Sequence, residues 1–318
     1  MDKSANTEDA ALATLTAHLS QGLVGHDHLI ERLLVALLSG GHLLVEGPPG
    51  LAKTRAVKWL SDAVEGTFAR IQCTPDLMPS DLTGTPVYRP QDGSFEFVKG
   101  PVFNNLVLVD EINRAPPKVQ SALLEAMAEH QVTAGNDTHP LPDPFLVVAT
   151  QNPIEHDGTF PLPEAQLDRF LLHVILELPD MQTERQILDL VEAEATDGAA
   201  HPASLSLGEL AQARDKVRLV HLSPELRDYI VRLVIATRDG DLSGEIEHAV
   251  SPRGSLSLAA ASKARAFLHG RDFALPEDVA ALAGDALAHR MVLSWRAVAD
   301  GRRARDVVAD IVNSVEPL

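Results

Sequence analysis

Short apolar runs recur at wide intervals along the first half of the chain: "HLLVE" (42–46), "FARIQ" (68–72), "LVLVD" (106–110), "FLVVAT" (145–150) and "LLHVILEL" (171–178). They read as near-continuous apolar stretches, not as alternating ones. Strands of that kind have both faces covered, as in a parallel sheet flanked by helices. Between them, residues 26–39, 53–64 and 117–130 carry the spacing of amphipathic helices. The alternation of strand and helix predicts an α/β layered domain.

Two segments stand outside that alternation. "PVYRPQDGSFEFV" (86–98) sets two short runs around an Asp92-Gly93 turn signal, and "QVTAGNDTHPLPDPF" (131–145) carries Gly135-Asn136-Asp137 at its tip. Both read as β-hairpins that project beyond the layered core. From about residue 180 the strand signals stop. The chain then reads as successive helices parted by "TDGAAHPAS", "HLSP", "DGDLSGEIEHAVSPRG" and "HGRDFALPED". Ser223-Pro224-Glu225 and Leu275-Pro276-Glu277 mark helix starts with proline in the first turn. The expected division is an α/β domain over 1–180, with hairpin insertions near 85–98 and 131–145, and a smaller all-helical domain over 181–318.

Composition narrows the partners. The chain's 318 residues suffice for two domains with a core each. A formal net charge of −18 repels a phosphate backbone, and only 4% aromatic residues leave few platforms for base stacking, so no nucleic acid is expected. Cys73 is the only cysteine, which excludes an intrachain disulfide and a cysteine-based zinc cluster. Runs such as "LLVALL" fall far short of the ~20 residues that cross a bilayer. The N-terminal stretch is acidic where a signal peptide is basic. The expectation is a cytoplasmic protein with no integral membrane association.

The candidate chemistry begins at "GPPGLAKT" (47–54), which follows the first apolar run. It matches the phosphate-binding loop G-x-x-x-x-G-K-[ST] except that Ala52 stands where the second glycine belongs. Such a loop turns successive backbone N–H groups around an anion at a helix N-terminus. Lys53 would reach the β- and γ-phosphates, and the Thr54 hydroxyl would ligate Mg²⁺. Ala52 is tolerated cheaply if its backbone is helix-like, and costs ~1 kcal/mol if it is left-handed. A simple turn capping a strand is the alternative reading of "GPPG". Asp110 and Glu111 end the apolar run 106–110, where an ATPase places a metal ligand and a base. Alone, such a pair reads equally as a solvated turn. Asn152, after the run 145–150, sets an amide at the carboxyl edge of the sheet, where α/β ligands bind. Alone, Asn-Pro reads as a turn. The chain contains no Asn-Lys-x-Asp guanine reader, no H-E-x-x-H and no G-x-S-x-G.

Taken together, "GPPGLAKT", "LVLVDEINRAPPKVQSALLEAMAEHQVT" and "VVATQNPIEHDGTFPLPEAQLDRF" resemble the Walker A, Walker B and sensor 1 to arginine-finger segments of AAA+ ATPases, specifically the MoxR family. The similarity runs from "LVGHDHLIERLLVALLSGGHLLVEG" through "IQCTPDLMPSDLTGTPVY" to "AVSPRGSLSLAAASKARAFLHGRDFALPEDV". The resemblance implies a three-layer P-loop AAA+ domain with a parallel five-stranded sheet, followed by a smaller all-helical lid domain. It implies ATP and Mg²⁺ bound along Gly47, Pro48, Pro49, Gly50, Leu51, Ala52, Lys53, Thr54 and Arg55. Thr54 would hold the metal, and Asp110 would hold it through water. Glu111 is then the catalytic base, Asn152 sensor 1, Arg169 in "LPEAQLDRF" an arginine finger for the neighbouring subunit, and Arg253 in "SPRG" sensor 2. Val24 and Gly25 would line the adenine side. Read without the family, Arg169 pairs with Asp168 or Glu164, Arg253 is a cap residue, and Val24-Gly25 forms a hydrophobic staple.

MoxR-type loops commonly carry alanine before the lysine, and the two hairpins resemble the helix-2 insertion and the hairpin before sensor 1. The resemblance further implies a homo-oligomeric ring, a hexamer. It would act as a chaperone on client proteins with von Willebrand factor A domains, in their maturation or metal and cofactor uptake. A metal-chelatase-type motor subunit and a nucleotide-gated scaffold with little turnover are the alternatives. The intact Glu111 beside Asp110 argues against the scaffold.

Overall fold

In chain order the computed structural model contains α1 (Ala5–Gly22), α2 (Asp27–Ser39), β1 (Leu43–Glu46), α3 (Lys53–Ala63), β2 (Phe68–Gln72), α4 (Pro79–Thr83), β3 (Gly84–Arg89), β4 (Ser94–Lys99), β5 (Leu106–Asp110), α5 (Pro117–Glu129), β6 (Gln131–Ala134), β7 (Asp137–Pro140), β8 (Leu146–Gln151), α6 (Glu164–Leu167) and β9 (Leu172–Ile175). There follow α7 (Met181–Asp197), α8 (Leu207–Leu219), α9 (Pro224–Asp239), β10 (Ile246–His248), α10 (Pro252–Leu268), α11 (Pro276–Leu287), β11 (Val292–Leu293), α12 (Trp295–Ala299) and α13 (Ala304–Ser314). The structure describes residues 5–91, 93–134, 137–153, 158–197 and 205–317. Asp92, Gly135 and Asn136 of the expected hairpin tips, and residues 198–204 of an expected break, lie outside them.

All five expected strands join one sheet in the order β2-β5-β8-β1-β9. Leu106 to Val109 and Leu146 to Ala149 are all buried, the both-face covering that their unbroken apolar runs require. Each such Val or Leu contributes about 1.5–3 kcal/mol of burial. β5 lies parallel between β2 and β8, with Gln72 opposite Asp110 and Val109 opposite Ala149. This register carries the polar ends of three strands to one edge.

The two hairpins form as separate antiparallel pairs, β3 with β4 and β6 with β7. The N-terminal helix was not expected. Leu12, Leu15 and Leu19 of α1 are buried at helical spacing, and His18 stacks on Trp59 of α3 at 4.7 Å.

Two compact units divide the chain discontinuously. The first comprises 1–31, 44–162 and 175–211, and the second 32–43, 163–174 and 212–318. In the second, Ser223 caps α9 by accepting from Leu226 N–H at 3.1 Å, with Pro224 in the first turn, and α11 likewise starts at Pro276. The all-helical expectation needs one correction. β10 and β11 pair antiparallel through Ile246 and Leu293, strands of three and two residues that are too short to leave a periodic signal.

Buried carboxylates organise this second unit. Asp285 pairs with Arg32 and Arg305, both at 2.6 Å, and Asp278 with Arg265 and Arg271, both at 2.6 Å. Burial alone would raise the Asp278 carboxyl. Hydrogen bonds from Arg271, the Leu275 N–H and Arg265 outweigh that and hold it below the usual carboxylate range.

Candidate functional site

The loop between β1 and α3 opens against the end of β8, where Gly47 N–H donates to Gln151 O at 3.2 Å. Gly47 leaves little room for a side chain: a Cβ would stand 3.0 Å from that of Leu176 and 3.1 Å from its carbonyl oxygen. Gly50 needs its φ of +87° rather than space. Ala52 resolves the question its sequence position posed. Its φ of 52° and ψ of 16° are left-handed, so it carries the cost of a Cβ in that region, about 1–2 kcal/mol. Its carbonyl accepts from Ala56 N–H at 2.8 Å, which starts α3 directly behind the loop.

Lys53, the first residue of α3, folds its ammonium back over the loop. It donates to Gly47 O, to Pro48 O at 3.2 Å and to Gln151 O at 3.4 Å. Thr54 faces β5, its Oγ1 lying 3.3 Å from each carboxylate oxygen of Asp110. Asp110 is only 4% exposed. It also accepts from Thr150 Oγ1 at 3.1 Å and from Arg70 Nε at 2.7 Å.

Glu111 is left-handed at φ 56°, a conformation that carries strain for a non-glycine residue at a strand end. Its N–H donates to Thr150 Oγ1 at 3.0 Å. Its Oε2 accepts from Gln72 Nε2 and Arg114 Nη1, each at 3.1 Å. Asn152 is buried just past β8, and its carbonyl accepts from Asn113 Nδ2 at 3.4 Å. Lys53, Thr54, Asp110, Glu111 and Asn152 thus collect at one edge of the sheet. Cys73 N–H donates to Asp110 O at 3.0 Å, and burial, with Asp110 and Glu111 nearby, pushes its thiol up to about 12. It stays a protonated, inert neighbour of the acids.

Beside the loop lies a cavity of about 620 Å³, within the range of a drug-sized ligand. Pro49, Gly50, Leu51 and Ala52 form one wall, Leu23, Val24 and His26 a second, and Ile187, Leu188 and Val191 of α7 a third. Its lining is largely apolar. Gly25 makes a close approach instead: at φ +77°, its added Cβ would strike Thr183 Cγ2 at 2.1 Å. Arg55 lines the cavity but is engaged away from the loop. It donates to Gly22 O at 3.0 Å, pairs with Glu194 and lies 5.3 Å from the Trp59 ring centroid.

The donor set suits Mg²⁺. A hydroxyl and a carboxylate side by side are hard oxygen ligands, and Mg²⁺ is typically held by one or two such groups plus substrate phosphates and water. Among the described residues no group of three or more His, Cys, Asp or Glu could hold a metal by itself.

Arg169 and Arg253 belong to the second unit. There Asp168 is paired with Arg290 Nε at 3.0 Å and with Arg253 Nη1 at 3.6 Å. Ser251 caps α10 by accepting from Arg253 N–H at 3.2 Å and donates to Asp168 Oδ2 at 3.2 Å. Arg290, buried, also donates to Phe170 O at 2.6 Å, Leu171 O at 3.2 Å and Ser257 Oγ at 2.9 Å. Burial lowers its pKa to about 10 despite the Asp168 carboxylate beside it.

Arg70, Gln72, Arg114, His26 and Arg290 were missed from sequence. Arg70 and Gln72 left a weak signal: two polar residues at i and i+2 in an otherwise apolar strand share one face. His26 directly follows Val24-Gly25, and burial lowers its pKa against the opposing charge of Asp27. Arg290 left no local signal.

Residues 42–172 match the ATPase family associated with various cellular activities (AAA), and residues 241–311 match the AAA lid domain. The chain is 45% identical to Chaperone MoxR1 of Mycobacterium tuberculosis over 92% of this chain and 78% of that one. It is 41% identical to the YeaC protein of Bacillus subtilis, over 96% and 94% of the two chains. Against Protein MoxR of Methylorubrum extorquens the identity is 31%, over 96% and 93%. A crystal structure of a candidate ATPase from Cytophaga hutchinsonii aligns with a TM-score of 0.89 at 41% identity, over 99% of this chain and 98% of that chain.

Proposed function

The chain belongs to the MoxR family of AAA+ ATPases, and on that premise we propose that it hydrolyses ATP with Mg²⁺ as one subunit of a homo-oligomeric ring that remodels client proteins. The observation that carries the reading is the meeting of Thr54 Oγ1 with both Asp110 oxygens at 3.3 Å, with Lys53 before the one and Glu111 after the other.

In this reading the backbone of residues 47–52 and the Lys53 ammonium bind the β- and γ-phosphates, where fixed dipoles and one cation meet developing charge. The Lys53 bonds to Gly47 O and Pro48 O hold that ammonium over the loop. Thr54 and Asp110 would hold Mg²⁺, which when bound neutralises charge on the phosphate oxygens. Glu111 accepts the proton of the attacking water, and Asn152 orients that water. Val24, His26 and α7 enclose the base, and the absence of an Asn-Lys-x-Asp reader favours ATP over GTP. Arg169 acts on the site of the neighbouring subunit, and Arg253 lets the lid respond to the γ-phosphate. The functional division falls near residue 180, between nucleotide-binding and lid domains.

A relative carrying the name chaperone supports protein clients over nucleic acid, as does the net charge of −18. The more specific reading is a hexamer in the cytoplasm acting on partners with von Willebrand factor A domains, in maturation or metal insertion. No helix among the described residues is long and apolar enough to cross a membrane.

Glu111→Gln tests the chemistry. It keeps the hydrogen-bonding shape and removes the base, so ATP binding by calorimetry stays near wild type while turnover falls about 100-fold or more. Wild-type turnover in that variant would remove the assignment and favour a nucleotide-gated scaffold.

A further inference from the structure

The geometry points to Arg70 as a positioning residue: it holds the Asp110 carboxylate and must yield it to Mg²⁺, so an internal cation sets part of the Mg²⁺ requirement for nucleotide binding. The inference rests on the Mg²⁺-dependent reading of the site. Asp110 is 4% exposed, and a carboxylate so buried needs a compensating charge. Arg70 brings one from the adjoining strand, Nε to Oδ2 at 2.7 Å.

The parallel register makes this contact possible. Arg70 lies opposite Leu108 and Gln72 opposite Asp110, so Arg70, Gln72 and Asp110 share a face and the arginine reaches forward along the strand. The Arg70 side chain is 53% exposed, so its head can leave Asp110 for water at little cost. Its Nη2 donates to Gln72 Oε1 at 3.3 Å, and Gln72 donates in turn to Glu111 Oε2 at 3.1 Å. The cation on the metal ligand is therefore chained to the base. A divalent ion at Thr54, reaching Asp110 directly or through a bound water, needs the same carboxylate oxygens. Guanidinium and metal compete for them.

The test is Mg²⁺ titration of fluorescent ADP binding, which does not depend on turnover. Arg70→Gln lowers the half-saturating Mg²⁺ about five-fold or more, the size of a typical coupling between two ligands. Arg70→Lys, which keeps the charge, stays close to wild type. Arg89→Gln, which removes a cation paired with Glu96 in the β3–β4 hairpin, controls for loss of a charge elsewhere and leaves the requirement close to wild type. An unchanged or raised Mg²⁺ requirement in Arg70→Gln overturns the role of Arg70 while leaving the ATPase reading intact. If wild type shows no Mg²⁺-dependent ADP binding, both fall. Should Arg70→Gln not fold, NMR of the wild-type Arg70 Nε–H, assigned by its loss in Arg70→Lys, decides the matter. The Nε–H is protected from exchange in the metal-free protein and loses that protection on adding Mg²⁺ and ADP. Protection equal in both states overturns the proposal.

Discussion

At the carboxyl edge of the sheet, Asp110 is paired with an arginine whose side chain is half in solvent; inside the helical unit, Asp278 is fully buried and held by two arginines that are mostly covered. Both are buried acids satisfied by guanidinium groups at similar distances. They differ in whether the partner can leave. Arg265 and Arg271 are packed beside Asp278 from α10 and the turn after it, Arg271 donating twice, with the Leu275 N–H as a further donor on the same carboxylate. Arg70 touches Asp110 from a strand end, with its side chain more than half in solvent. A carboxylate with fixed partners builds the fold, and one with an exchangeable partner is available for chemistry. Arg290 is a partner of the fixed kind, although it sits beside the residue proposed as a finger.

Substitutions break or sharpen that contrast, because the two kinds of site must fail in different measurements. The largest expected effect is on rate. Arg169→Ala lowers ATP turnover about 10³-fold or more with little change in unfolding midpoint, and mixing it with Lys53→Ala protein restores part of the activity. Mixed rings with no recovery would argue against action between subunits. Next is Arg290→Ala, which removes a buried, multiply bonded cation, leaves its acceptors without that donor and lowers stability by about 3 kcal/mol in urea unfolding. An unfolding curve matching wild type would move Arg290 from the structural class to the exchangeable one.

Asp278→Asn probes the fixed pair through pH. The folded carboxyl lies below its unfolded value near 3.9, so the unfolded state binds the proton first as pH falls. Its stabilisation is fully present above about pH 4 and is lost as pH drops through the folded value. The gap in urea midpoint between wild type and Asp278→Asn is therefore constant near neutrality and closes below about pH 4. A gap that widened in acid would reverse the assignment. The smallest effect belongs to Ala52→Gly. Relief of a left-handed alanine is offset by the entropy of glycine, leaving a net gain under about 1 kcal/mol with nucleotide affinity retained. A loss of affinity would show that the Cβ of Ala52 shapes the loop.

The layered fold, the loop and the acids were legible because each is written in neighbouring residues. Unbroken Leu and Val runs at 106–109 and 146–148 demand cover on both faces, and the glycines and prolines of 47–50 shortly before Lys53 demand a tight turn into a helix. What escaped was contact between distant positions or conformation at a single one. The two-residue strand at 292–293 leaves no period to detect, and the sign of φ at Ala52 is chosen by the loop around it.

The sequence by itself determined the succession of the five sheet strands, the family, and the identity of Lys53, Thr54, Asp110 and Glu111 as the groups worth watching. Only the tertiary structure decided which groups attend them. Arg70 reaches Asp110, and Gln72 reaches Glu111, across about forty residues of chain, through a parallel register that no local pattern encodes. Arg290 finds Asp168 across 122 residues, through packing that no local pattern encodes. Short-range preference is a property of adjacent side chains, whereas the pairing of buried charges depends on which surfaces pack together once the chain has closed.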